Sequence, residues 1–222
     1  MSDERIQYDF TPLAPADMTR RAQEFYELMR RRRSVREFSD EAVPRDLIEL
    51  AVASASTAPS GAHRQPWTFV VIGDSDTKTR IRSAVENEER ENYEGGRLPN
   101  AWREALAPIG TTSSKPYLDT VPWIVVLFEQ RYSLTPEGET QKNYYVKESV
   151  GIAAGMFIAA LHNMGLATLP HTPSPMAFLS RVLQRPENER PFALFPVGYP
   201  APGCTVPALT RKPLGDVLIE FP

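Results

Sequence analysis

The sequence predicts an α+β domain in which strands are few and helices are long. Three observations carry that reading. Trp67 to Ile72 is a run of β-branched and aromatic residues of strand length. Asp17 to Arg33 places Ala22, Phe25, Tyr26 and Met29 on one helical face. Tyr144 to Met164 is apolar nearly all round and rich in small residues (Ser149, Gly151, Ala153, Ala154, Gly155, Ala159, Ala160), the pattern of a central helix packed closely on every side.

The other elements follow in chain order. Pro44, tolerated in a first helical turn, opens a helix to about Ser56. After the strand at Trp67, Asp74-Ser75-Asp76 caps a very polar helix running to about Tyr93. Glu94 to Lys115, with Gly95-Gly96, Pro99, Pro108 and Gly110, reads as a long irregular loop, a length typical of lids. Trp123 to Glu129 is a strand of buried type, and Leu166 to Leu169 and Phe192 to Val197 complete the set. The tail from Val206 to Phe221 mixes prolines with apolar residues and is expected to end as an extended arm. No linker or repeat divides residues 1–222, so one domain is expected.

Composition narrows the function. The formal net charge is −3, so there is no strong global pull toward nucleic acid. Arg20, Arg21 and Arg30 to Arg36 cluster, but without interleaved aromatics or a nucleic-acid-binding motif. The one cysteine, Cys204, excludes an internal disulfide and a cysteine-based zinc site. The N-terminus lacks an apolar signal core, and the longest apolar stretch, Gly151 to Leu161, is far shorter than a membrane span. A cytoplasmic protein without a membrane anchor is expected.

Two segments carry the chemistry. Arg30-Arg31-Arg32-Arg33-Ser34-Val35-Arg36 concentrates guanidinium groups at a helix end. Pro59-Ser60-Gly61-Ala62-His63-Arg64-Gln65-Pro66-Trp67 is a small-residue turn feeding a strand. Together they suit a cofactor with a phosphate and a flat polar ring: Arg offers forked donors to phosphate oxygens, and the turn lets backbone amides approach a ring edge. The plain alternative for the arginines is a solvated helix end complementing the dipole.

A second constellation involves Glu89 and Tyr93, four apart on one helical face, and Lys115. An anion for an ammonium group, with a cation and a hydroxyl for a carboxylate, is what a zwitterionic amino acid needs. Glu89 could equally belong to a solvated acidic face, Tyr93 could pack, and Lys115 could be a surface residue. His63, His162 and His171 form no recognisable nucleophile–base arrangement. Pro-Ser-Gly is not a Gly-x-Ser-x-Gly elbow, and no Gly-x-Gly-x-x-Gly unit follows a strand.

In this order, the arginine run, the Pro-Ser-Gly-Ala-His turn, Pro170-His171-Thr172-Pro173 and Arg211-Lys212-Pro213-Leu214 resemble the FMN-binding nitroreductase superfamily. The Ser-Gly-Ala-His form, and the triad beside Lys115-Pro116-Tyr117-Leu118-Asp119-Thr120-Val121-Pro122, are similar to its iodotyrosine deiodinase branch. The resemblance implies a central mixed sheet flanked by helices and an interlocked homodimer with FMN at the interface. It implies cofactor contacts from Arg32, Arg33, Ser34, Arg36, Pro59, Ser60, Gly61, Pro170, His171, Thr172 and Arg211. Thr172 would be the catalytic hydroxyl at flavin N5. The Ala62 amide would hold a phenolate oxygen, while Glu89, Tyr93 and Lys115 would hold the amino-acid end and order residues 94–115 as an active-site lid. The implied activity is FMN-dependent reductive dehalogenation of halotyrosines, with electrons from another reductase or NAD(P)H. A general NAD(P)H-dependent nitro or quinone reductase is the alternative, and a non-catalytic flavin-binding protein is a third reading. His171 stands where some relatives carry threonine.

Overall fold

The computed structural model describes residues 5–221, and its contacts divide the chain at Arg32/Arg33 into two units. The first unit holds α1 (Pro15–Arg31). Proline lies in its first turn, Asp17 lies near its positive end, and Arg30 and Arg31 lie at its negative end. None of its residues is buried; of the apolar face foreseen for this helix, Phe25 and Tyr26 are exposed and Met29 is half-buried.

The second unit is built on a four-stranded sheet. It contains α2 (Arg45–Ala55), β1 (Trp67–Ile72), α3 (Ser75–Tyr93), α4 (Asn100–Leu106), the short α5 (Tyr117–Thr120), β2 (Trp123–Gln130), the hairpin β3 (Tyr132–Leu134) and β4 (Thr140–Lys142), α6 (Val146–Asn163), β5 (Ala167–Thr168), α7 (Ala177–Val182) and β6 (Glu189–Gly198). Sheet order is β1-β2-β6-β5, and each named pair is antiparallel. The parallel component is an isolated bridge between Ser34 and Thr168.

Side chains alternate across the sheet and divide the core into two layers. Val125 and Leu127 of β2, with Phe195 and Val197 of β6, pack with Ile48, Ala51, Phe157 and Leu161 of α2 and α6. Ile124, Val126 and Phe128, with Leu194, pack with Ile81, Val85, Leu118 and Leu179 of α3, α5 and α7. Burial on both faces is why β2 and β6 read as nearly continuous apolar runs.

Two expectations need correction. Residues 94–115 are not a structureless loop: they hold α4 and a 3₁₀ turn, Ala107–Ile109, introduced by Pro99 and Pro108. Proline is tolerated in a first turn, so the same residues that read as breakers also start helices. Second, α6 is not packed on every side in the single chain. Ser149, Val150, Ala153, Ala154, Phe157 and Leu161 are buried, whereas Gly151, Ile152 and Gly155 are exposed. The tail beyond Val206 is irregular apart from a 3₁₀ turn at Leu214–Asp216, and Leu214, Val217, Leu218, Ile219 and Phe221 are exposed.

Candidate functional site

α3 supplies the frame of the site. Asp74 caps it by accepting from Thr77 N at 2.7 Å, which holds its carboxyl below the usual range. Its buried residues are Lys78, Ile81, Val85, Glu89 and Asn92, steps of three and four that trace one face. Lys78 Nζ donates to the carbonyls of Asp119 (3.3 Å) and Val121 (2.8 Å). Arg82 pairs with Asp119 at 2.7 Å, and Glu86 Oε1 accepts from Lys115 N at 2.7 Å. These bonds dock residues 115–121 on α3 and bring Lys115 beside Glu89.

Glu89 is buried, and so is Lys115 at 2% exposure. The solvated acidic face and the surface lysine are therefore excluded for these two residues. Lys115 Nζ lies 4.0 Å from Glu89 Oε2 and 5.6 Å from the centre of the Tyr93 ring. It also donates to the Thr112 carbonyl and, at 3.4 Å, approaches Thr111 Oγ1. Burial lowers the Lys115 pKa, and Glu89 opposes that shift. Burial raises the Tyr93 hydroxyl, against a hydrogen bond with Thr111.

β5 leads into the opposite wall. Ser34 bridges Thr168, and Val35 N donates to the Thr168 carbonyl at 3.4 Å, which sets Arg33, Ser34 and Arg36 alongside β5. Arg33 also donates to the Pro207 carbonyl. Past β5, His171 exchanges backbone hydrogen bonds with Leu194 of β6 (2.7 and 2.9 Å). A cavity of about 310 Å³ is lined by Arg36, Glu89, Tyr93, Pro170, His171 and Thr172, and on its other side by Arg97, Leu98, Pro99, Trp102, Leu106 and Thr111. The second group belongs to the segment foreseen as a lid. Thr172 is exposed and α7 begins only at Ala177 with Met176 as its cap, so the helix-capping alternative for Thr172 does not apply.

The Pro59–Ala62 turn, Arg32, Arg33, Ser34, Lys115 and Arg211 are not among the described residues lining this cavity. The turn is a 3₁₀ segment, Gly61–His63, with Ala62, His63 and Gln65 at φ of 50°, 53° and 47°. Such left-handed residues cost on the order of 1 kcal/mol each, a strain that collects at functional sites. Ser60 Oγ accepts from Gln65 N at 2.9 Å, and Gly61 N donates to Ser149 Oγ at 3.2 Å, tying the turn to α6. A Cβ on Gly61 would lie 2.6 Å from the Tyr144 carbonyl oxygen, so this position requires glycine. Arg32 closes α1 in the other unit.

Sequence reasoning missed Asn92, whose Nδ2 donates to the Ser174 carbonyl at 2.8 Å at the cavity edge. Its spacing of three from Glu89 was the available signal. It also missed Tyr117, whose hydroxyl pKa is pushed far up by burial, and Trp102. The cavity wall combines a buried carboxylate, phenols, an imidazole and guanidinium groups, with the Lys115 ammonium buried 4.0 Å from the carboxylate. That donor set can hold both ends of an amino acid beside a threonine hydroxyl.

A model of the nitroreductase family matches residues 29–199. Iodotyrosine deiodinase from Haliscomenobacter hydrossis is 52% identical over 216 residues, covering 97% of each chain. Human iodotyrosine deiodinase 1 is 43% identical, covering 97% of this chain and 75% of its own. A crystal structure of oxidized iodotyrosine deiodinase bound to FMN and 3-iodo-L-tyrosine matches with a TM-score of 0.77 at 27% identity, over 89% of this chain and 98% of that one. The nitroreductase with bound FMN from Bacteroides fragilis matches at 0.65 with 19% identity, a likeness of fold alone. With similarity of this extent to named relatives along nearly its whole length, the chain belongs to the nitroreductase family, with the iodotyrosine deiodinases.

Proposed function

We propose that this protein is an FMN-dependent reductive dehalogenase that converts halotyrosines, iodotyrosine among them, to tyrosine and halide. The observation that carries the reading is the cavity that sets Glu89 and Tyr93 opposite Pro170–Thr172, with the buried Lys115 Nζ 4.0 Å from Glu89 Oε2 and 5.6 Å from the Tyr93 ring centre. The residues present fit FMN. Arg33, Ser34 and Arg36 run beside β5, where Thr168 Oγ1 is buried without a hydrogen-bond partner. Guanidinium groups suit the phosphate, and hydroxyls and turn amides suit the ring. When bound, FMN supplies two electrons; with one proton they replace the carbon–halogen bond by carbon–hydrogen and release halide.

The protein's own residues bind and orient. Glu89 takes the substrate ammonium, and Lys115 and Tyr93 take the carboxylate. The Ala62 amide would hold the phenolate oxygen, and the Thr172 hydroxyl would offer a hydrogen bond to the flavin ring. Arg32, Arg33, Ser34, Arg36 and Arg211 serve the phosphate side, with Pro59, Ser60, Gly61, Pro170 and His171 along the ring. Contacts to the amino-acid end, remote from the breaking bond, draw residues 94–115 over the site and exclude water.

Our reading includes a homodimer. The exposed apolar faces of α1 and α6 and the apolar tail support it, as does a cavity at the small end of ligand pockets, which span roughly 300–1,000 Å³. No helix among the described residues is long and apolar enough to cross a membrane. We assign the protein to the cytoplasm, with another reductase or NAD(P)H as electron donor. The test is anaerobic incubation of FMN-loaded protein with dithionite and 3-iodotyrosine. Tyrosine and iodide in equal amounts are expected. Absence of tyrosine with rapid NADPH-driven reduction of a nitroarene would assign the protein to the general reductases instead.

A further inference from the structure

Resting on the halotyrosine reading, one side chain at the cavity acts through another. His171 Nε2 lies 3.0 Å from Glu89 Oε1. A carboxylate only accepts, so Nε2 carries the proton. Nδ1 is buried and has no hydrogen-bond partner. A bare ring nitrogen tolerates that position better than an N–H would, so the geometry favours the neutral imidazole with its proton on Nε2. The ring is not free to swing: both backbone groups of His171 are bonded to Leu194 of β6, and Tyr117 packs against it edge-on with centroids 6.4 Å apart. His171 is thus a fixed donor, anchored on the sheet and aimed at Glu89.

We propose that His171 is the positioning residue for Glu89, holding Oε1 through Nε2–H so that Oε2 is the oxygen that receives the substrate ammonium. With that bond in place Oε2 stays 4.0 Å from Lys115 Nζ; without it the Glu89 side chain can close that distance, and the carboxylate is then spent on an internal ion pair. The charged and titratable groups facing His171 are Glu89 on α3, Lys115 before α5, Tyr117 on α5 and Arg36 beside β5. From β6 it meets the backbone of Leu194. Burial holds its pKa below the ordinary 6.5, with Lys115 and Arg36 acting in the same direction and Glu89 opposing them. Acidification therefore creates an imidazolium that occupies Glu89 and competes with the ammonium.

The test compares 3-iodotyrosine with its deaminated analogue, 3-(4-hydroxy-3-iodophenyl)propionate, by quenching of flavin fluorescence in the oxidised holoenzyme between pH 5 and 8. The ratio of the two dissociation constants isolates the ammonium, because both ligands share the phenol and the carboxylate. In the wild type the ratio should be large at pH 7.5 and should fall in the acid range. His171→Ala should reduce it at least about tenfold, equivalent to ~1.4 kcal/mol. His171→Gln retains bulk and an N–H donor; it should recover most of the ratio and show no acid-side fall. A large wild-type ratio that His171→Ala leaves unchanged, or an acid-side fall that persists in His171→Gln, overturns the positioning role alone. A wild-type ratio near one overturns the assignment of Glu89 to the ammonium, and this inference with it.

Discussion

Replacing Lys115 by methionine removes one charge while keeping an unbranched side chain of most of the length and volume. In the wild type the Lys115 side chain is 2% exposed and its Nζ lies 4.0 Å from Glu89 Oε2. At an effective dielectric of about 20, that separation corresponds to a gross attraction of about 4 kcal/mol, offset by the desolvation of both groups. What the substrate loses is a charge-assisted hydrogen bond to its carboxylate, typically about 1.5–3 kcal/mol. That converts to a roughly 10- to 150-fold weaker dissociation constant for 3-iodotyrosine. Fluorescence titration of the oxidised holoenzyme reads this directly, and FMN content per chain should be unchanged. The pH dependence has a definite sign. The folded pKa of Lys115 lies below the ordinary 10.5, so carboxylate binding is intact below that folded value and is lost as pH rises through it. Equal affinity of Lys115→Met and wild type for 3-iodotyrosine would refute the assigned role.

Other outcomes follow from the same geometry. Gly61→Ala puts a Cβ 2.6 Å from the Tyr144 carbonyl oxygen; FMN retention after gel filtration should drop while the circular dichroism spectrum holds. Glu189 is buried and accepts from Thr68 Oγ1 at 2.6 Å and from the partly exposed Arg185 at 2.7 and 3.1 Å; Glu189→Ala should cost about 1.5–3 kcal/mol in urea unfolding. Ile152→Glu charges the bare face of α6, 46% exposed at that residue; light scattering should shift from dimer toward monomer. His171 titrates with a folded pKa below 6.5, so the unfolded chain binds more protons as pH falls past that value. Its contribution to stability is complete above pH 6.5 and declines toward its folded pKa, so the stability difference between wild type and His171→Gln should narrow in that window.

The parts of the fold legible in the sequence were those with strong local signals. Trp67–Ile72 could be read to the residue, because a β-branched run is bounded by Pro66 on one side and Gly73 and the Asp74 cap on the other. Tyr144–Met164 was legible as a helix but not in its packing, since a uniformly apolar pattern does not say which face lacks a neighbour within one chain. Residues 94–115 misled because prolines that break a helix from within also start one. At the site, Glu89 and Tyr93 were legible from their spacing. The burial of Lys115 was not, because it depends on Lys78, Arg82 and Glu86 docking two distant segments. The His171–Glu89 bond spans 82 positions and joins elements that only the sheet topology brings together.

The central claim is that the amino-acid end of the substrate is recognised at Glu89, Tyr93 and Lys115 and that this recognition drives dehalogenation. The most direct measurement is kcat/KM for dithionite-supported deiodination of 3-iodotyrosine and of 2-iodophenol by the same FMN-loaded protein. The account predicts tyrosine and iodide from the first at a rate constant orders of magnitude above that for the second. Comparable values for the two, or no iodide from either, would contradict it.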